Sequence, residues 1–230
     1  MIRVLLVEDD ADIMESIRDN LTSLGDYRIQ SAASAEDALR IGAEFDVILL
    51  DIMLPGLNGI ELCGLLRKRY TCPIIFLSCL DDSQTIIEAL GQGGDDYVVK
   101  PFDTLVLHAR IQANLRRIRI ERKTENTGSI LRCGPFEMHN GDEHVTKNGK
   151  HISLLPIESR LLAFLMQNEG RFYKAKELYR EIWGQDDMGN VRTVLVHMHN
   201  LRAKIEDNPE NPRFILNVRG KGYTFYGQDE

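Results

Sequence analysis

The sequence predicts a doubly wound α/β domain with a five-stranded parallel sheet, followed by a smaller α+β domain. Three observations lead to this prediction. Residues 1–120 alternate short apolar runs with amphipathic stretches, which is typical of a parallel sheet covered by helices. Residues 130–227 combine short strand-like pieces with three helical patterns. Between them, periodicity fades into a polar Gly-Ser segment over 121–129, which we interpret as a linker; a surface loop inside one domain is the alternative.

The strands of the first domain are predicted from apolar runs bounded by acids, Gly or Pro. Most of the runs are unbroken, as expected for strands that are buried on both faces. The helices between them are predicted from apolar residues at helical spacing. The strands are expected at 4–7, 28–31, 47–50, 74–77 and 97–99, and the helices at 11–24, 35–42, 58–70, 83–92 and 103–119.

The second domain opens with strand-like pieces separated by two turn signals, Asn140-Gly141 and Asn148-Gly149. Its last segment carries two β-rich flanks punctuated by glycines, which predicts a hairpin. The helices are expected at 156–168, 174–183 and 191–207, and the hairpin strands at 214–218 and 223–226.

Composition and charge exclude several classes of protein. Hydrophobic residues make up 43% and charged residues 27%, which is ordinary for a soluble globular protein. The apolar span at the N-terminus is too short for a signal peptide and lacks a cleavage site. No apolar stretch approaches the ~20 residues of a membrane span, so we expect a cytoplasmic protein with no membrane partner. The four cysteines form no C-x-x-C pair, which argues against a zinc ribbon and fits reduced thiols.

The net charge of −7 is unevenly distributed along the chain. Residues 1–130 carry 14 basic and 21 acidic residues, whereas residues 131–230 carry 14 of each. The neutral second half can therefore present a local basic face to nucleic acid, although the whole chain is acidic.

Acidic residues follow two of the predicted strands. Glu8 and Asp9 come directly after the first strand, and Asp51 comes after the third. The carboxyl ends of parallel strands face one crevice, so these carboxylates should converge. Two like charges ~4 Å apart repel by ~4 kcal/mol at an effective dielectric of ~20, and a divalent cation would offset this. Because all the ligands offered are oxygens, Mg²⁺ is the expected ion.

Two further polar residues close strands of the same sheet. Ser78 ends the fourth strand with a hydroxyl, and Lys100 ends the fifth with an ammonium that can meet a phosphoryl group. Any single residue of this kind can be a solvated side chain or a helix N-cap, as Asp10 or Asp12 can be. The combination at four strand ends favours a functional site.

Four motifs resemble the flavodoxin-like receiver domain of two-component response regulators, over about residues 1–120. These are VLLVEDD (4–10), LLDIMLPGLNG (49–59), IIFLS (74–78) and GGDDYVVKPF (93–102). The resemblance implies that Asp51 accepts a phosphoryl group from a sensor histidine kinase. It further implies that Asp9, Asp51 and the Met53 backbone carbonyl bind Mg²⁺, with Glu8 assisting through water.

The same resemblance assigns three residues to the response that follows phosphorylation. Lys100 pairs with the phosphoryl oxygens, Ser78 moves toward them, and Tyr97 turns inward as the switch aromatic. The alternative for Tyr97 is a half-buried strand aromatic.

The helical pattern over 191–206 and the basic hairpin after it have the layout of a winged helix-turn-helix. Taken alone, the polar side of that helix would be a solvated face. The stretches 154–171, 177–184, 191–206 and 215–225 resemble the winged-helix effector domain of the OmpR/PhoB class, over about residues 130–226. By that resemblance, residues 191–206 form the recognition helix in the major groove.

The resemblance also implies individual DNA contacts. Arg192, Thr193 and His197 hold phosphates. Asn200 reads a base, and Arg219 enters the adjacent minor groove. Leu155 and Lys174 replace the usual helix caps, and Leu195 replaces a usual Asp. The expected DNA-binding residues are Arg192, Thr193, His197, Asn200, Arg202, Arg219 and Lys221.

A receiver of this class implies a symmetric dimer on phosphorylation, formed through the fourth and fifth helices and the fifth strand. Carried over, the pairs that cross between chains are Asp96 with Arg110, Asp95 with Arg117, and the apolar Ile86 with Val106. The alternative for the apolar pair is packing within its own chain.

We therefore expect a phosphorylation-controlled transcription regulator rather than an enzyme. Its expected partners are a sensor kinase, promoter DNA carrying a direct repeat, a second copy of the chain, and RNA polymerase. One alternative is an aspartyl-phosphate hydrolase of the haloacid dehalogenase type, which Met53 disfavours because it stands where that class has a second Asp. The other alternative is an orphan regulator that acts without phosphorylation.

Overall fold

The structure of the chain is a computed structural model that describes residues 1–124, 130–139, 144–184 and 191–227, with the backbone alone for 117–124. The chain divides into two compact units, Met1–Leu115 and Arg116–Glu230. In the part described, no helix is long and apolar enough to cross a membrane.

The first unit is a five-stranded parallel sheet in the order β2-β1-β3-β4-β5. This order confirms the predicted doubly wound α/β fold. The strands are β1 Ile2–Val7, β2 Tyr27–Ala32, β3 Val47–Asp51, β4 Ile74–Ser78 and β5 Asp96–Val99, and the helices are α1 Ala11–Leu24, α2 Ala35–Arg40, α3 Gly59–Arg67, α4 Ser83–Gly91 and α5 Thr104–Thr124.

Burial explains why these segments form strands. Every residue of β3 and β4 is buried, which matches the unbroken apolar runs that predicted them. Four helices of this unit start at a side-chain cap whose oxygen accepts a backbone N–H of the first turn. The caps are Asp10, Ser34, Asn58 and Asp82.

The second unit combines a four-stranded antiparallel sheet, three helices and a hairpin, which confirms the predicted α+β architecture. Trp183, Phe136 and Phe225 are fully buried in its core. The turn signal at 140–141 lies outside the described residues. The elements are β6 Ile130–Cys133, β7 Phe136–His139, β8 His144–Lys147, β9 Lys150–Ser153, α6 Pro156–Gln167, α7 Ala175–Trp183, α8 Val191–Ile205, β10 Ile215–Val218 and β11 Gly222–Phe225.

Helix α5 differs from its predicted end. It continues to Thr124 instead of stopping at 119, so residues 121–124 of the predicted linker are helical. The rest of that linker, 125–129, lies outside the described residues.

Helices α6 and α7 begin in the same way, each at a residue that is not a conventional cap. Leu155 and Lys174 offer no side-chain acceptor, but the third helical residue reaches back to the backbone. Glu158 accepts the N–H of Leu155 at 2.8 Å, and Glu177 accepts the N–H of Lys174 at 2.7 Å. This is half of a capping box, and it partly replaces the missing side-chain cap.

Candidate functional site

Three carboxylates converge at the carboxyl edge of the parallel sheet. Glu8 and Asp9 follow β1, Asp51 ends β3, and one oxygen from each lies within 4.8 Å of the others. Glu8 and Asp51 are buried, whereas Asp9 is exposed. The convergence predicted from the strand ends is therefore present.

Lys100 compensates the charge of the two buried acids. Its Nζ donates to Asp51 Oδ2 at 2.6 Å and to Glu8 Oε2 at 2.7 Å. Burial by itself would lower the pKa of Lys100, but its hydrogen bonds to Asp51 and Glu8 raise that pKa above its usual value. The ammonium therefore remains charged beside the carboxylates at neutral pH.

The pKa of Glu8 is shifted by its surroundings. Its burial raises the pKa of Glu8 to about 7, because desolvation penalises the carboxylate more than the Lys100 ammonium stabilises it, and the Asp51 charge adds to the rise. One ammonium is thus too little charge for two buried carboxylates and the exposed one beside them.

This donor set fits a magnesium ion. The three side chains offer only carboxylate oxygens, which are the ligands that Mg²⁺ takes in proteins. A dication would supply the positive charge that Lys100 alone does not. The structure thus supports a metal-binding role for Glu8, Asp9 and Asp51 from charge and donor chemistry.

Ser78 ends β4, and Tyr97 lies within the neighbouring strand β5. Ser78 is fully buried, and its Oγ accepts the N–H of Leu80 at 3.2 Å. Tyr97 is also fully buried, and its hydroxyl donates to the Leu80 carbonyl at 2.6 Å. Tyr97 is therefore fully buried rather than half-buried, and its role as the switch aromatic stays a prediction.

Gly59 shapes the site, although the sequence reasoning assigned it no role. A Cβ on Gly59 would lie 1.9 Å from the Asp51 carbonyl oxygen and 2.8 Å from Ile52 Cα. The N–H of Gly59 also donates to the Ile52 carbonyl at 2.9 Å. The start of α3 can approach the end of β3 this closely only because residue 59 has no side chain. Its position in the motif LLDIMLPGLNG was the available signal.

The outward side of α8 is the candidate nucleic-acid interface. Val191, Arg192, Leu195 and His199 are exposed along it, and Asn200 is half-buried at its margin.

Two of the predicted phosphate contacts on α8 need correction. Thr193 and His197 are fully buried, on the same side of the helix as the apolar residues. The His197 ring lies 5.8 Å from the ring of Trp183. Since neither side chain reaches the helix surface, we assign both to the packing of the second unit.

Arg202 has a structural role in addition to any contact with DNA. Its Nε donates to the Ile215 carbonyl at 3.0 Å, and its guanidinium lies 5.6 Å from the centre of the Tyr223 ring. These contacts hold the hairpin β10–β11 against α8.

The tip of the hairpin carries the predicted cations. Arg219 is exposed, and Lys221 lies with its Nζ 5.1 Å from the centre of the Phe172 ring. Gly222 has a φ of 102°, and a Cβ there would lie 2.2 Å from the Tyr173 carbonyl oxygen. The hairpin can therefore dock on Tyr173 only with glycine at position 222.

The charged pairs predicted to cross a dimer interface are engaged within one chain. Asp96 is buried, and Arg110 Nη1 donates to both of its carboxylate oxygens, at 2.7 and 2.9 Å. Asp95 is also buried; it pairs with Arg67 and accepts the N–H of Ile74 at 2.8 Å. The side chain of Arg117 lies outside the described residues.

The predicted apolar dimer contact also needs correction. Ile86 is only 1% exposed and packs inside its own chain, while Val106 is half-buried. Among the described side chains of α4 and α5, the large apolar residues that are exposed are Ile87, at 48%, and Leu105, at 58%. The core residue Ile86 and the surface residue Ile87 are therefore adjacent in α4.

Comparison with known proteins matches two different families to two parts of the chain. Residues 4–112 match the response regulator receiver domain family, and residues 149–225 match the family of the transcriptional regulatory protein C terminus. The chain is 40% identical over 222 residues to the transcriptional regulatory protein AfsQ1 of Streptomyces coelicolor, covering 96% of each. It is 36% identical to the DNA-binding response regulator MtrA of Mycobacterium tuberculosis, covering 96% of this chain and 95% of that one.

A solved structure extends this similarity to the fold. DrrB of Thermotoga maritima, described as an OmpR/PhoB homolog, aligns with a TM-score of 0.52 at 31% identity, covering 99% of this chain and all of DrrB.

Proposed function

Because the chain belongs to the OmpR/PhoB class of DNA-binding response regulators, we propose that a sensor histidine kinase phosphorylates Asp51 and thereby controls how the second unit binds promoter DNA. The observation that carries this proposal is the Asp51 carboxylate, held at the end of the central strand with the Lys100 ammonium 2.6 Å away. A promoter with a direct repeat, contact with RNA polymerase and a location in the cytoplasm complete the proposal.

In the proposed transfer, an oxygen of the Asp51 carboxylate attacks phosphorus and forms an acyl phosphate. The bond between phosphorus and the donor imidazole nitrogen breaks, and the imidazole leaves with the bonding electron pair. Asp9, Asp51 and the Met53 carbonyl would hold Mg²⁺, with Glu8 acting through water, and the ion would supply charge neutralisation and orientation of the phosphoryl oxygens.

The residues around Asp51 are suited to hold the product. Lys100 is charged and already touches the acceptor carboxylate, so it can transfer a hydrogen bond from Asp51 Oδ2 to a phosphoryl oxygen. Ser78 offers a buried hydroxyl at the neighbouring strand end. Tyr97 is linked to the same loop through Leu80, so a movement of Ser78 is coupled to the surface around β5.

Phosphorylation is proposed to form a dimer through α4, β5 and α5. The exposed Ile87 and Leu105 supply apolar area on this surface. The Asp96–Arg110 pair is closed within the chain and would have to open before it could cross to a second copy. Dimerisation would bring two α8 helices to adjacent half-sites of DNA.

The direct test is phosphorylation of the full chain by acetyl phosphate with Mg²⁺, measured by intact mass. We expect a gain of one phosphoryl group, which needs Mg²⁺ and is lost in Asp51→Asn. Asp10→Asn is the matched control, because Asp10 lies beside the cluster but caps α1 through the N–H groups of Asp12 and Ile13, a role that Asn fills equally well. A mass gain that persists in Asp51→Asn would contradict the assignment.

A further inference from the structure

Leu195 is an exposed leucine in the middle of α8. Its side chain is 46% exposed, whereas Val194, Met198 and Leu201 of the same helix are buried. An exposed leucine keeps apolar surface in contact with water, and burying that surface against a ligand would be favourable. Its neighbours on the surface therefore decide what it can contact.

Helical geometry places Leu195 at the centre of the outward side of α8. With about 3.6 residues per turn, Val191, Leu195 and His199 follow one another along one line, and Arg192 lies beside them. All four are exposed. The opposite side of α8 packs against α6 and α7, so the line containing Leu195 is the part of the helix available to a ligand.

The surroundings of this line favour nucleic acid as the ligand. Arg192 is exposed in the first turn of α8, and Arg219 is exposed at the hairpin tip. Arg202 holds that hairpin against α8. The cation of Arg219 is therefore carried by a hairpin that packs on the recognition helix. Such cations contact phosphates on both sides of a groove, whereas a single leucine and valine form too small an apolar patch for a stable protein interface.

We infer that Leu195 reads a thymine in the major groove through the C5-methyl group of that base. This inference rests on the proposed DNA-binding function. Leucine has no donor or acceptor, so it cannot pair with the polar edges of guanine, adenine or cytosine. The thymine methyl is the one apolar group that the four bases present in the major groove.

The test compares thymine with deoxyuridine, which differs only by that methyl group. The full chain, treated with acetyl phosphate and Mg²⁺, is used with its preferred duplex, selected from random sequences, and each thymine is replaced in turn. When deoxyuridine replaces one particular thymine of a half-site, the parent should bind that duplex about fourfold more weakly than the thymine duplex, as expected for the loss of one buried methyl group. Leu195→Ala should bind both duplexes equally, and Leu195→Met, which keeps an apolar side chain, should retain part of the difference.

Leu24→Ala is the matched control, because Leu24 is an exposed leucine at the end of α1. It should show the same preference for thymine as the parent. Equal discrimination by Leu195→Ala and the parent would overturn the inference, as would a parent that ignores the methyl group at every thymine. A parent that binds no duplex, either before or after the treatment, would overturn the proposed DNA-binding function and this inference with it.

Discussion

Gly59→Ala tests whether the close contact between α3 and β3 positions Asp51. The added Cβ would lie 1.9 Å from the Asp51 carbonyl oxygen, and contacts under 3.0 Å are essentially never found, so the two backbones must separate by about 1 Å. The neighbour is backbone, which cannot rotate away. Overpacking of this kind costs ~1–3 kcal/mol, and the helix propensity gained by replacing Gly with Ala offsets ~1 kcal/mol of it at most.

Two measurements are needed, because the substitution should affect both stability and chemistry. We expect thermal unfolding of the first unit at a lower temperature, and slower phosphorylation by acetyl phosphate, since Asp51 moves relative to Lys100. Gly42→Ala is the control, because a Cβ at Gly42 meets nothing within 4 Å. A Gly59→Ala protein as stable as Gly42→Ala, with the parent's phosphorylation rate, would refute this reasoning.

Three other substitutions test separate parts of the account. Lys100→Met leaves two buried carboxylates without their ammonium, so it should lower the melting temperature. Thermal unfolding with and without Mg²⁺ should show that the ion stabilises this variant more than the parent. Ile87→Lys should weaken the phosphorylated dimer in analytical ultracentrifugation without lowering the melting temperature, whereas Ile86→Lys should destabilise the first unit; the reverse pattern would contradict the assignment of Ile87 to the surface. Arg192→Ala should weaken preferred and random duplexes about equally and reduce the salt dependence of binding by about one charge, which titrations at several salt concentrations measure.

The features that the sequence predicts most reliably are the buried strands and the convergence of their ends. The apolar runs that end at Asp51 and Ser78 are fully buried strands, and parallel topology brings their ends together. Side-chain pairs between residues that are distant in the sequence are harder to predict from it. That Arg110 pairs with Asp96 of the same chain follows from how α5 packs on β5, which no local pattern reveals.

The errors on α8 and α4 have a common cause. A resemblance transfers a position in the alignment, but the packing of this chain decides which way the side chain points. Thr193 and His197 are four residues apart and in line with Leu201, so their spacing did indicate the buried side of α8. The resemblance implies a contact between chains for Ile86, but this residue lies three residues before Ala89 and four before Leu90, which are both buried, so helical spacing favours the alternative of packing within its own chain.

The most direct test of the whole account is the DNA affinity of the full chain before and after treatment with acetyl phosphate and Mg²⁺. We expect treatment to tighten binding of the parent to a duplex with two half-sites, and to leave Asp51→Asn at the affinity of the untreated parent. Equal affinity of the treated and untreated parent, at full phosphorylation by mass, would contradict the claim that Asp51 controls DNA binding.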